Sequence, residues 1–140
     1  MYDTILLPTD GSDATTDAAA HAFSHAERYG ATIHILSVVE VSSGLGTAGR
    51  DDDEIDRRKQ ERVAAAEQLI GEHAPDGVDA IAAVKVGSPT RAITSYTAEI
   101  GADLVVMSTR ARGGAKRVVF GSVTEQVIQA GDTPVLAVQR

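Results

Sequence analysis

Five short apolar runs, separated by four stretches of helical periodicity, constrain this chain more than any other feature. The runs Thr4–Leu7, Ala31–Val39, Asp79–Val86, Asp103–Met107 and Thr133–Val138 carry the aliphatic and β-branched residues that strands favour. Between them, apolar residues recur at helical spacing: Ala18, Ala22, Phe23 and Ala26 in the first stretch, Ala92, Ile93, Tyr96 and Ile100 in the third. Regular alternation of strand and helix specifies a parallel sheet built from βα units. Right-handed crossovers then make it an α/β, Rossmann-like, doubly wound five-stranded sheet with helices on both faces. Asp103–Met107, apolar after its first residue, suits a strand buried on both sides.

Local punctuation agrees with that order. Pro8 is expected to stop the first strand. Ser12 or Asp13 can cap the first helix, and Gly30 stands where a glycine past a helix end belongs. Val41–Arg50 is linker-like, and Asp51–Glu54 puts four carboxylates at the start of a helix reaching about His73. Ser88-Pro89 reads as a cap followed by proline at the first helical position, with Gly101 closing that helix. Ser122-x-x-Glu125 is a capping-box pattern opening the last one. With 140 residues and no internal repeat, the chain is expected to form one domain over 1–140.

Composition narrows the function classes. At 43% apolar the chain is too hydrophobic for disorder. No apolar run approaches the roughly 18 residues needed to cross a bilayer. Met1–Thr9 lacks a basic leader and a small-residue cleavage site, so it does not read as a signal peptide. Cysteine is absent, which removes disulfides, thiolate chemistry and zinc–sulfur sites. A cytoplasmic location is expected. The net charge of −7 argues against general attraction to nucleic acid or anionic membranes. Aspartate outnumbers glutamate 12 to 8 and arginine outnumbers lysine 10 to 3, a surface expected to suit high salt.

Ligands of doubly wound sheets bind beyond the carboxyl ends of the strands, where the strand order reverses. That rule directs attention to Pro8–Ser12, Ser37–Val41 and Ser108–Ser122. Met107–Ile128 is the most informative stretch. Gly121-Ser122 opens a helix whose free N–H groups and dipole favour an anion. The loop before it holds Arg110, Arg112, Lys116 and Arg117, and no acidic residue occurs from Leu104 to Thr124. In an otherwise acidic chain this combination points to phosphate.

These residues resemble the ATP-binding universal stress proteins, which carry G-x2-G-x9-G-[S/T] after the fourth strand. Aligned on Gly121-Ser122, this chain has Ser108 and Ala111 at the first two glycine positions. Both are small, but neither tolerates positive φ as glycine does; Gly113 and Gly114 lie nearby. Ile5–Ser12 (ILLPTDGS) is similar to the family's first strand and turn, and TPVLAV to its last strand. The resemblance spans essentially the whole chain. It implies that Asp10, framed by Pro8 and Thr9, lies at the nucleoside end of a pocket and accepts from ribose or adenine. It places Val38 against the base, and Met107 and Ser108 at the nucleoside or α-phosphate. Ala111, Gly121, Ser122, Val123 and Thr124 would donate to the phosphates of ATP, ADP or AMP, accompanied by Mg²⁺. The resemblance also implies a homodimer formed through the edge strand Pro134–Val138, and a protein partner of unknown identity.

Other motifs carry less. Gly44-Leu-Gly46-Thr-Ala-Gly49 matches G-x-G-x-x-G but trails its strand and precedes four carboxylates, so it reads as linker. His21 and His25 stand at metal-binding spacing yet share a polar helix face with Asp17 and Arg28. The Walker frame is missing around Lys116, and the third strand ends in Lys85-Val86-Gly87 and the fifth in Gln139-Arg140, without the aspartate and lysine that a phospho-receiver domain needs there. No matched base accompanies the serines. Nucleotide binding with slow or no hydrolysis is therefore expected. Two other classes stay open: a nucleotide-free dimeric scaffold of the same fold, which Ser108 and Ala111 favour, and an enzyme acting on nucleotides.

Overall fold

The protein is described from a computed structural model covering residues 1–10, 13–40, 52–109 and 122–139. Strands β1 (Thr4–Thr9), β2 (Thr32–Val39), β3 (Ala80–Val86), β4 (Leu104–Ser108) and β5 (Val135–Val138) alternate with four helices. These are α1 (Asp13–Tyr29), α2 (Asp52–His73), α3 (Pro89–Ile100) and α4 (Ser122–Ala130). All pairings are parallel, in the order β3-β2-β1-β4-β5. The chain thus winds one way from β1 through β3 and the other way through β4 and β5, as the alternating pattern predicts.

Alternation along the central strand divides the interior in two. Ile5 and Leu7 face α1 and α2, in a cluster with Phe23, Ile33, Ile35 and Val106. Leu6 faces the opposite side, with Leu36, Ile93, Tyr96, Val105 and Val127. Ile5, Leu6 and Leu7 are all 0% exposed. At about 1.5–3 kcal/mol per buried aliphatic side chain, this short segment is a major source of stability. The face that α1 turns inward is mostly alanine: Ala18, Ala19, Ala22 and Ala26 are buried around one large side chain, Phe23. Small residues at i, i+4 spacing let the helix lie close against β1 and β4.

The first strand does not stop at Leu7. It continues through Pro8 to Thr9, paired with Leu36 and Ser37 of β2. The reason is geometric. The Asp3 carbonyl accepts from Thr32 and the Thr4 carbonyl from Asp103, so even-numbered backbone groups of β1 face β4. The β1–β4 pairing includes only Ile5 and Leu6, so the missing N–H of Pro8 removes no bond to β2. At the other end of the sheet, the Asp103 side chain accepts from the amides of Asp3 (2.8 Å) and Thr4 (3.1 Å), a pin that local pattern does not reveal.

Helix boundaries fall within a residue or two of expectation. Ser88 adopts the extended geometry of a cap with Pro89 following, but its side chain makes no capping bond. Gly101 closes α3 at φ +64°, a conformation glycine adopts without strain. Ser122 is the first residue of α4 and not the residue before it.

One polar contact crosses the second core. His34 Nδ1 of β2 lies 3.0 Å from the Tyr96 hydroxyl of α3, and Lys85 of β3 sits 5.5 Å from the Tyr96 ring centre while pairing with Glu99 at 3.6 Å. Burial pushes the His34 imidazole below its ordinary 6.5. Burial, and then the Glu99 charge, push the Tyr96 phenol up. Because the folded imidazole resists its proton, the unfolded chain protonates first as pH falls, and stability declines below about pH 6.5 until the lower folded-state value is passed. Thermal unfolding at about pH 7.5 and about pH 5.5 should therefore show a smaller acid-induced drop in Tm for His34→Gln than for the wild type. An equal drop in both proteins would remove His34 from the acid response.

Candidate functional site

The strand order reverses between β1 and β4, and a group of polar atoms lies at the carboxyl end of each of these neighbours. On the β1 side, the Thr9 hydroxyl donates to Thr15 Oγ1 at 3.1 Å, and Thr15 donates to Asp10 Oδ1 at 3.2 Å. Asp10 is exposed just past the strand, whereas Thr15 in the first turn of α1 is only 6% exposed. Asp10 is thus tied to α1 by a side-chain contact.

On the β4 side, the Thr124 hydroxyl donates to the Ser108 carbonyl at 2.8 Å. Thr124 is 3% exposed and lies in the first turn of α4. The bond fastens the amino end of α4 to the last residue of β4. Amide groups of a first helical turn have no partner within the helix, and their dipoles sum to a partial positive charge. The reversal point therefore combines an exposed carboxylate from β1 with an anion-favouring helix end beside β4.

Pro8 and Thr9 sit at the end of β1, half-buried. Thr9 pairs with Ser37, so Val38 stands one residue further along β2. Val38 and Val123 are half-buried and pack against the cluster on the α3–α4 side, to which the buried Met107 belongs. Ser108 is half-buried at the strand end. The structure therefore brings Pro8, Thr9, Asp10, Val38, Met107, Ser108, Val123 and Thr124 to the carboxyl edge of the sheet. Arg110, Ala111, Arg112 and Gly121 lie outside the described residues, as do the Ser122 side chain, the remaining basic positions Lys116 and Arg117, and the Gly44–Gly49 motif.

Two polar residues at this edge escape motif reasoning. Thr15 looks like any polar residue in a first helical turn. Thr109 directs both its amide (2.9 Å) and its hydroxyl (3.3 Å) to the Val138 carbonyl, joining the ends of β4 and β5. A shallow cavity of about 400 Å³ lies beside it, lined by His21 and by Leu136–Gln139 of the edge strand. Another of about 300 Å³ lies toward the opposite, amino end of β5, between α3 and α4. Neither includes Asp10 or Ser108. The His25 Nδ1 donates to the His21 carbonyl at 2.8 Å, one turn back on α1. Among the described residues no group of three or more His, Asp or Glu side chains is placed to hold a metal ion. No helix among them is long and apolar enough to cross a membrane.

Comparison with known proteins decides the family. The model described as "Universal stress protein family" matches residues 1–139. The chain belongs to that family. Universal stress protein MJ0531 of Methanocaldococcus jannaschii is 32% identical over 142 residues, covering 100% of this chain and 84% of the relative. Universal stress protein YxiE of Bacillus subtilis is 30% identical over 148 residues, covering 99% of this chain and 100% of the relative. Among solved structures, the protein MJ0577 superposes with a TM-score of 0.80 at 26% identity, covering 100% of this chain and 97% of that one. A universal stress protein solved in complex with cAMP gives a TM-score of 0.68 at 26% identity, covering 99% and 97%. The doubly wound sheet read from the alternating pattern is thus the universal stress protein fold.

The Thr124–Ser108 bond is the contact that fixes the helix end in this site. Thr124→Val should lower stability by about 1 kcal/mol in urea unfolding, the usual worth of one intramolecular hydrogen bond, while Thr124→Ser keeps most of it. Equal stability of all three proteins would show that α4 is held by packing alone.

Proposed function

We propose that this universal stress protein is a cytoplasmic regulator that binds an adenine nucleotide at the reversal point between β1 and β4. It holds the nucleotide and turns it over slowly if at all. Two observations carry this reading: Asp10 stands just past the end of β1, and the amino end of α4 is fastened to the end of β4, the two strands between which the order reverses. The carboxylate suits the nucleoside end, and the helix end suits phosphate. The related structure with cAMP supports an adenine nucleotide as the ligand class. In this reading ATP, or ADP or AMP, places its phosphates at Ser122, Val123 and Thr124, with Arg110, Ala111, Arg112 and Gly121 completing the phosphate end. Its nucleoside meets Pro8, Thr9, Asp10, Val38, Met107 and Ser108. Mg²⁺ would arrive bound to the phosphates.

A nucleotide-free scaffold is the competing reading, favoured by Ser108 and Ala111 at positions where the family pattern has glycine. Both readings include a homodimer. Among the described residues β5 is an edge strand that pairs with β4, and such an edge offers backbone groups to a second copy. The complex would signal nucleotide level to a protein partner.

Mass spectrometry of the gently denatured protein should reveal co-purified ATP, ADP or AMP. In calorimetry with ATP and Mg²⁺, Ser122→Glu should weaken binding at least about tenfold, or about 1.4 kcal/mol, by placing a negative charge at the helix end. Indistinguishable binding by the two proteins would exclude this phosphate site. Light scattering at micromolar concentration should give twice the 14.6 kDa chain mass; a monomer would exclude pairing through β5.

A further inference from the structure

Thr15 is out of place on its helix. Counting along α1, it heads the inward stripe that continues through Ala18, Ala19, Ala22 and Ala26, every one of them buried. Residues three and four apart share a helix face, so Thr15 belongs to the surface that packs on the sheet. At 6% exposure an alanine or valine would serve packing equally well. A buried hydroxyl requires a partner, and this one has two: it lies 3.1 Å from Thr9 Oγ1 and 3.2 Å from Asp10 Oδ1.

Chemistry sets the direction of the chain. An ionised carboxylate only accepts hydrogen bonds. Thr15 therefore donates its single hydroxyl proton to Asp10, and its oxygen is left to accept the proton of Thr9. Hydrogen bonds linked in one direction polarise and strengthen each other. The exposed carboxylate of Asp10 is thus held from beneath by a buried donor that β1 itself keeps aligned. The terminal torsion of an aspartate is soft, and the Thr15 contact restricts it. With that contact, the acceptor is oriented before a ligand arrives, which lowers the entropy lost on binding.

We propose that Thr15 is a positioning residue, setting the direction of the Asp10 carboxylate and through it the nucleoside donor that the site accepts. The proposal rests on the nucleotide reading above and deepens it. The ligand chemistry is an O–H or N–H donor of the nucleoside, supplied either by a ribose hydroxyl or by the adenine amino group. An oriented acceptor discriminates against a ligand lacking the matching donor, because its hydrogen bond is then lost. Asp10 is exposed and water replaces part of that bond, so the discrimination is about tenfold.

Calorimetry with Mg²⁺ tests this for the wild type, Thr15→Val and Thr15→Ser. The ligands are ATP, its 2′-deoxy and 3′-deoxy analogues, and inosine triphosphate, in which a carbonyl replaces the amino donor. The wild type should bind one class of analogue about tenfold more weakly than ATP, the deoxy arms reporting ribose and the inosine arm reporting the base. Thr15→Val should reduce that preference to about two- to threefold, and Thr15→Ser, which keeps the hydroxyl, should retain it. Circular dichroism confirms folding, and Thr15→Ala replaces Thr15→Val if the valine variant does not fold. A wild type with no preference among the ligands overturns the proposal. So does a preference that survives loss of the hydroxyl, an equal loss of affinity for all four ligands, or failure of serine to restore discrimination. A wild type that binds none of the four overturns the nucleotide reading itself, an outcome distinct from normal ATP binding with an unaltered preference in the Thr15 variants.

Discussion

Burial of β1 on both faces is the constraint on which the rest of the structure depends. Ile5, Leu6 and Leu7 are wholly enclosed, and alternation along the strand sends the first and third to one core and the second to the other. Removing the bulk of any of them would cost about 2–5 kcal/mol, a large share of a small protein's stability. A strand so enclosed needs a neighbour on each side and a helix layer above and below. β2 and β4 supply the first requirement. The alanine stripe of α1 and the Ile93–Tyr96 face of α3 supply much of the second.

The site follows from the same arrangement. Placing β1 at the centre makes the chain leave it toward β2 and return on its other side as β4, and the connections must part above their carboxyl ends. Pro8 contributes to that parting: its ring carries no donor toward β4 at the level where the β1–β4 pairing has already ended. Two helices then start at the open end, each fastened by a threonine in its first turn. Thr15 ties α1 to the end of β1, and Thr124 ties α4 to the end of β4. Hydroxyl contacts suit this duty because they satisfy a backbone or carboxylate acceptor without adding charge to a nearly buried position.

Much of the fold was legible in the sequence because strand and helix differ in period. The apolar runs located all five strands, and the repeats at Ala18–Ala26 and Ala92–Ile100 located inward helix faces. Less was legible where a signal depends on neighbours. Pro8 reads as a strand breaker unless the side of the strand on which its missing N–H falls is known. Asp103 reads as the first residue of the fourth strand, yet its carboxylate binds two amides about a hundred positions away. The polar residues of the site divide in the same way. Asp10 was marked by its place after a strand and by its resemblance to a family turn. Thr15 and Thr109 had no pattern to mark them, since their partners lie across the fold.

Two kinds of information thus separate in this universal stress protein. Local periodicity, capping residues and the order of elements are properties of the chain, and they determined the element order and parallel class of the sheet. Which hydroxyl meets which acceptor was decided only by tertiary structure. Such contacts depend on ångström-scale distances between segments that sequence spacing leaves unspecified. The contact from Thr15 to the Asp10 carboxylate is the clearest case, since nothing in the spacing of the two residues says that their side chains meet.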